Sequence, residues 1–284
     1  MQKLNVEDTY FHSNNLIRVK DKLLDLSTPK VMGIVNCTPD SFYSSSRKNT
    51  EMEILKQVEK HLNEGADLID LGGYSSRPGA KEVSEKEEIA RVLPMIQLIK
   101  SHFETILSLD TFRAEVARQG LENGVDIIND ISAWEIDNEL LDVVAKYQCP
   151  YILMHMKGVP SNMQSNTSYT NIYNEIIHFL SEKISILQQK GVNDIIIDPG
   201  FGFGKSIDQN FELLRYLSAL KILNKPILAG ISRKSMIYKK LKITPEESLN
   251  GTTVLNTIAI NNGASILRVH DVKEAKECIQ LTSF

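Results

Sequence analysis

Val31-Met-Gly-Ile-Val35 is a short apolar run that breaks into Asn36-Cys-Thr-Pro-Asp-Ser-Phe42, and a helical period follows over Met52–Leu62. Apolar runs without polar alternation read as strands buried on both faces of a parallel sheet. The same unit recurs outward along the chain. The further runs are Leu68–Leu71, Ile106–Leu109, Val125–Ile128, Tyr151–Met154, Ile195–Ile197, Pro226–Ala229 and Ser265–Val269. Helical stretches such as Glu85–Lys100 and Ile172–Lys190 lie between them. Strand and helix alternating eight times in 284 residues predict an α/β fold, a single (β/α)8 TIM barrel with 1–284 as one domain.

Helix starts are marked in the sequence. Thr50 with Glu53, Ser84 with Glu87 and Thr244 with Glu247 have capping-box spacing. Pro245 stands where a first helical residue should, its missing N–H costing nothing there. Residues 1–30 precede the first strand as an N-terminal extension. Within it, Leu16–Val19 and Leu23–Leu26 flank Lys20-Asp21-Lys22 and predict a hairpin at the barrel floor.

Composition narrows the function. Net charge is −4, with 42% hydrophobic and 24% charged residues, as in an ordinary globular protein. The mild acidity argues against a nucleic-acid or membrane partner. Met1–Asp8 is polar, no apolar stretch approaches about 18 residues, and Cys37, Cys149 and Cys278 lie far apart. Together these predict a cytoplasmic protein.

Function in this architecture sits where strands end at their C-terminal side. Asn36 follows the first run, Asp70 and Gly72–Gly79 the second, Asp110 the third, and Asn129 the fourth. His155 follows the fifth, Asp198–Lys205 the sixth, Gly230–Ser235 the seventh, and Arg268–Asp271 ends the eighth. A single Asp or Asn at such a point reads as a turn former. Convergence of Arg77, Lys234, Arg268 and His270 on the rim beside Asp110 and Asp198 reads instead as a site for an anionic ligand. His155 reads as a satisfied rim residue.

Several motifs fail. Gly204-Lys205-Ser206 ends like a phosphate-binding P-loop, but Pro199 stands where that loop needs glycine. Gly200-x-Gly202-x-Gly204 lacks the dinucleotide-binding spacing and reads as close backbone approach to a ligand. No His/Cys cluster has zinc spacing, and no serine sits in a G-x-S-x-G elbow.

Asn36–Phe42 and Gly65-Ala-Asp-Leu-Ile-Asp-Leu-Gly-Gly-Tyr-Ser-Ser-Arg-Pro-Gly79 resemble the two signatures of the dihydropteroate synthases. Asp198–Lys205, Gly230–Ser235 and Arg268–Asp271 resemble the family's later segments, in the same order. The resemblance runs from about Val31 to Val272. It implies a (β/α)8 transferase of folate biosynthesis and a sulfonamide target. Such an enzyme joins 6-hydroxymethyl-7,8-dihydropterin diphosphate to para-aminobenzoate, giving dihydropteroate and pyrophosphate by a dissociative substitution.

Carried over by position, the resemblance implies a pterin pocket of Asp110, Asn129, Asp198, Lys234 and Arg268, with Asp110, Lys234 and Arg268 closest to the chemistry. It implies diphosphate contacts from Asn36, Ser76, Arg77, Arg268 and His270, and Mg2+ with Asn36 as its protein ligand. The aminobenzoate pocket would comprise Phe42, Arg77, Pro78, Phe203, Lys234 and Ser235, between loops 36–50 and 72–82. Those loops are expected to order after the diphosphate binds. A homodimer is also implied.

The chain departs from the family at two points. Tyr43-Ser44-Ser45-Ser46 stands where many relatives have Ser-Asp-Gly-Gly, so an acid of that loop is missing. Tyr74 and Ser76 stand where Glu and Thr are common; Ser76 keeps the hydroxyl. The rival readings are a methyltetrahydrofolate-dependent methyltransferase and a silent pterin-binding barrel. The first would not need the Asn36–Phe42 and Ser75–Gly79 loops, and the second needs a lost diphosphate residue that the sequence does not have.

Overall fold

The computed structural model describes residues 15–37, 47–74, 83–159, 163 and 167–283. Two antiparallel strands, β1 (Leu16–Val19) and β2 (Lys22–Asp25), come first. Eight parallel strands follow: β3 (Lys30–Asn36), β4 (Leu68–Gly72), β5 (Ile106–Asp110), β6 (Ile127–Asp130), β7 (Tyr151–Met154), β8 (Ile195–Asp198), β9 (Leu228–Ala229) and β10 (Ile266–Val269). They lie side by side in the order β8-β7-β6-β5-β4-β3-β10-β9. A parallel bridge between Ile197 and Ile227 joins the two ends, so the sheet curls into the expected barrel. Around it stand α1 (Arg47–Asn63), α2 (Glu85–His102), α3 (Ala114–Glu122), α4 (Glu139–Tyr147), α5 (Ile172–Gln189), α6 (Ile207–Arg215), α7 (Ser235–Leu241), α8 (Leu249–Asn261) and α9 (Val272–Thr282).

Alternation along each strand sorts side chains between two cores. Outward-facing Val31, Val35, Ile69, Leu71, Leu107 and Leu109 are buried under the helices. Inward-facing Met32, Leu68, Ile127, Ile152, Ile196, Leu228 and Ile266 form an apolar layer inside the barrel. The β1–β2 hairpin closes this layer from below with Ile17, Val19, Leu24 and Leu26. Its turn is pinned to the loops of that end: Lys20 Nζ donates to Gly124 O at 3.1 Å, and Arg18 N to Asp194 Oδ1 at 2.7 Å. The predicted floor is therefore a sealed one.

Two strands differ from the predicted runs for identifiable reasons. β6 starts at Ile127 rather than Val125, because Val125 N still bonds Gly120 O at 3.0 Å in the turn that ends α3. Asp126 then turns its carboxylate back to accept from Leu107 N at 2.8 Å. β9 is confined to Leu228–Ala229, since Pro226 has no N–H and only accepts, from Ile197 N at 2.9 Å.

Caps follow the sequence in two cases of three. Ser84 and Glu87 form a reciprocal capping box at α2. Thr244 and Glu247 exchange bonds of 2.9 and 3.4 Å ahead of the 3-10 turn Glu246–Ser248, which runs into α8. Thr50 does not cap α1, which already begins at Arg47. An unforeseen capping box, Ser206 with Gln209, opens α6. Among the described residues no helix is long and apolar enough to cross a membrane.

Candidate active site

One side-chain layer above the apolar floor, the barrel interior turns polar. Two residues beyond Leu68, Ile106, Ile127, Ile196 and Ile266 stand Asp70, Ser108, Asn129, Asp198 and Arg268. Arg268 reaches across from β10. Its Nε donates to Asp70 Oδ2 at 2.6 Å and its Nη2 to Asp110 Oδ2 at 2.6 Å. Asn129 Nδ2 donates to the same Asp70 oxygen at 3.2 Å. Two predicted pterin residues, Arg268 and Asn129, thus meet on Asp70, which is fully buried, and Arg268 ties in a third, Asp110.

Burial pushes the Asp110 carboxyl up, Arg268 draws it down, and Asp70 pushes it up again. Such opposed influences act on a carboxylate close to a guanidinium in a dry setting. Asp70 Oδ1 and Ser108 Oγ, on paired positions of β4 and β5, are buried with no hydrogen-bond partner.

Asp198 ends β8 on the other side of the mouth. Its Oδ1 accepts from Gly200 N at 2.7 Å, and burial raises its carboxyl while Lys234 opposes the rise. Lys234 immediately precedes α7, donates to Phe201 O, and lies 4.7 Å from the centroid of the Phe203 ring. Burial pushes its ammonium down to about 8, against the upward pull of Asp198. Gly200 is required by geometry: its φ is +72°, and a Cβ there would sit 1.9 Å from His155 O.

His155, read from the sequence as a satisfied rim residue, is satisfied but buried. Its Nδ1 lies 3.0 Å from Lys205 Nζ, and its ring meets Phe179 edge-on at 5.0 Å. Burial first, then Lys205 and Lys157, push it down to about 2. It stays neutral at working pH and serves as a hydrogen-bond partner for Lys205.

At the rim, Asn36 ends β3 with an exposed side chain, and half-buried Ser235 opens α7. His270 follows β10, its backbone N donating to Ser232 Oγ at 3.2 Å. Phe42, Ser76, Arg77 and Pro78 lie outside the described residues, as do Tyr43–Ser46 and the rest of 75–82. The residues bracketing that second loop are tied down. Arg91 donates to Gly73 O at 3.1 Å, and Arg113 donates to Val83 O at 2.6 Å and to the buried Glu88 carboxylate. Among the described residues no cluster of three His, Cys, Asp or Glu side chains could hold a metal ion.

Sequence reasoning assigned no role to Asp70 or Lys205. For Asp70 a signal existed: it is an acid in the inward phase of Leu68-Ile-Asp-Leu71, where a barrel strand otherwise carries apolar groups. Arg91, Arg113 and Glu88 gave none, because helix-face charges usually meet water.

The pterin binding enzyme family is matched over residues 32–270. Dihydropteroate synthase of Escherichia coli K12 is 42% identical over 260 residues, 91% of this chain and 92% of that protein. The Synechocystis enzyme of the same name is 45% identical over 246 residues, 86% of this chain and 85% of that one. The structure of Yersinia pestis dihydropteroate synthase with a sulfonamide drug complex superposes with a TM-score of 0.88 at 40% identity, covering 94% of this chain and 98% of that one. The Xanthomonas albilineans enzyme with 4-aminobenzoic acid gives 0.86 at 37% identity, covering 94% and 96%. With matches of this extent over the segments that carry Asp110, Asn129, Asp198, Lys234 and Arg268, the chain belongs to the dihydropteroate synthases.

Proposed function

We propose that this chain joins 6-hydroxymethyl-7,8-dihydropterin diphosphate to para-aminobenzoate, releasing pyrophosphate and forming 7,8-dihydropteroate. The observation that carries the reading is the polar layer of the barrel: Asp198 and Lys234 on one side, and on the other Arg268, which bonds Asp110 and shares Asp70 with Asn129. A pterin offers a ring N–H and an exocyclic amine side by side. The Asp198 carboxylate accepts both with charge assistance. Lys234 exchanges Phe201 O for the ring carbonyl. Asn129 and Asp110 meet the opposite edge, and Arg268 covers the ring face.

The bond that breaks joins the pterin methylene carbon to a diphosphate oxygen, and its electron pair leaves with pyrophosphate. The pterin ring carries the resulting positive charge, and the Asp110 carboxylate stabilises it electrostatically. The neutral amine of para-aminobenzoate forms the new C–N bond and gives its proton to the departing pyrophosphate or to water. No strong base is needed, in keeping with the neutral, buried His155.

Arg268, His270, Ser76 and Arg77 bind the diphosphate in this reading, and Phe42, Pro78, Phe203, Lys234 and Ser235 bind the aminobenzoate. Asn36 suits Mg2+. It presents one neutral oxygen at the exposed end of β3, a hard donor that leaves the remaining positions to diphosphate and water. When bound, Mg2+ supplies charge neutralisation of the leaving group. In this reading para-aminobenzoate binds second, after the diphosphate.

A homodimer and a cytoplasmic location belong to the same reading. Val254 and Ile258 on α8 and Leu281 on α9 are exposed apolar side chains on two helices packed together, a face suited to a second copy. All three cysteines are free and buried, as a reducing compartment permits.

Pyrophosphate release from the dihydropterin diphosphate tests the function, with and without para-aminobenzoate and with Mg2+ or EDTA. Release that requires both aminobenzoate and Mg2+ is expected. Pterin binding without release would favour a silent binder and point to the Tyr43–Ser46 departure.

A further inference from the structure

The loop after β8 is built around an ammonium that the reaction does not use. Lys205 is 3% exposed. Its Nζ donates to Gly200 O at 2.9 Å and Phe203 O at 3.0 Å, with His155 O at 3.4 Å and His155 Nδ1 at 3.0 Å. Three carbonyls and an imidazole nitrogen therefore turn inward on one cation. The chain from Gly200 to Gly204 can wrap in this way because its glycines hold φ of +72°, +85° and +62°. Asn210 Oδ1 accepts from Gly202 N at 2.7 Å, and Tyr169 OH donates to Gly204 O at 3.0 Å, but neither holds Phe203.

Phe203 is the residue whose position depends on this clasp. Its own N donates to Gly200 O at 3.1 Å, the same carbonyl that Lys205 holds, and its O accepts from Lys205 directly. Its ring lies half-buried under Lys234 Nζ. Asp198 touches the clasp through its Oδ1, which accepts from Gly200 N at 2.7 Å, but its backbone is anchored in strand β8, with its O accepting from His155 N at 2.9 Å. Loosening the loop should thus move the ring of Phe203 more than the carboxylate of Asp198. Burial pushes the Lys205 ammonium down to about 7 while Asp198 draws it up, so the clasp holds its charge against a desolvation cost.

We infer that Lys205 is a positioning residue that sets the aminobenzoate wall by clasping the carbonyls of Gly200 and Phe203 and so fixing the Phe203 ring beneath Lys234. The inference rests on the functional reading above and adds a residue that acts more on the second substrate than on the first.

The test compares wild type with Lys205→Met and Lys205→Gln. Steady-state pyrophosphate release gives KM for para-aminobenzoate, and calorimetry gives Kd for the dihydropterin diphosphate. Both variants should raise the aminobenzoate KM by about tenfold or more and leave the pterin diphosphate Kd within about twofold, with Gln, whose amide still donates, less affected than Met. If Met is not accommodated in the folded chain, Gln carries the comparison. An unchanged aminobenzoate KM, or equal weakening of both substrates in a folded variant, would overturn the inference. Absence of release from wild type would instead overturn the functional reading itself, so the two failures are distinct.

Discussion

Arg268 and Asp70 are 198 residues apart in sequence and 2.6 Å apart in the barrel, and the same guanidinium holds Asp110 at the same distance. The pair belongs to strands that do not neighbour one another, β10 and β4, with β3 between them. A charge at the centre of the site is therefore held by two acids rather than left to its ligand. The cost of assembling it has been met by the fold before any substrate arrives.

Arg268→Ala should be costly twice over. It strands the buried Asp70 carboxylate and the half-buried Asp110, which by analogy with broken buried pairs lowers stability by about 3–5 kcal/mol. It also removes the cation at the reacting centre, so pyrophosphate release should fall to a small residue. Arg268→Lys should rescue neither, because one ammonium cannot reproduce two directed donations. Urea unfolding and release assays read the two losses separately, and a Lys variant of wild-type activity would refute the argument.

Asp70→Asn keeps the shape of the hub and removes its charge. Its amide oxygen can still accept from Arg268 and Asn129, but without the negative charge that assists the bond from the guanidinium. With charge-assisted bonds contributing about 1.5–3 kcal/mol each, kcat/KM for the pterin diphosphate should fall by about ten- to a hundredfold. The affinity for aminobenzoate, measured at saturating pterin, should change little.

The pH profile follows from opposed shifts. Asp198 must be ionised to accept the pterin donors, and burial raises its carboxyl above the ordinary carboxylate range. Lys234 must be protonated to donate, and burial lowers it to about 8. The profile of kcat/KM for the pterin diphosphate should rise on an acid limb above the usual range and fall near pH 8. Asp198→Asn should lose most of the activity and the acid limb with it. For stability the Lys234 sign is opposite to that of a paired lysine. Its folded pKa lies below the unfolded one, so its contribution is present at high pH and is lost as pH falls through about 8. Stability of wild type should therefore climb more steeply between pH 8 and pH 10 than that of Lys234→Met, measured by unfolding at each pH.

Ile17 tests the floor. It is 2% exposed and packed into the lower interior layer. Ile17→Ala should cost about 2–5 kcal/mol in unfolding free energy. The kcat of the molecules that remain folded should stay near wild type, since the polar layer sits above. A matched fall in kcat would mean that the floor tunes the mouth.

Backbone needs test the loop after β8. Gly200→Ala places a methyl 1.9 Å from His155 O at a left-handed φ, so stability and release should both drop sharply. Gly72→Ala, whose methyl would meet nothing nearer than 3.5 Å, should be mild in stability by comparison. Thermal unfolding of the two variants side by side gives the contrast.

The barrel was legible in the sequence because its period is local. Every apolar run from Val31 to Val269 is found in a strand or beside one, and the hairpin turn at Lys20-Asp21 is where the flanking runs put it. Boundaries failed where a side chain or a proline replaced backbone pairing, as at Asp126 and Pro226. Thr50 failed because capping-box spacing does not say whether the helix has already begun. Asp110, Asn129, Asp198, Lys234 and Arg268 were legible as strand-end polar groups. Asp70 was visible but read as turn chemistry, and its partnership with Arg268 needs the closed barrel. Lys205 closes both a failed P-loop match and the Asp198–Lys205 family segment, but neither gave it a role, since a lysine that binds backbone carbonyls leaves no pattern in spacing.

Leu23 lies on the underside of the hairpin, 66% exposed, while all three native thiols are buried. A cysteine introduced at that point would be the accessible thiol on the end of the barrel remote from Asp198 and Arg268. Tethering through it would fasten the molecule to a sensor chip with the catalytic opening turned toward the flowing solution, so ordered addition of the two substrates could be followed on one oriented surface.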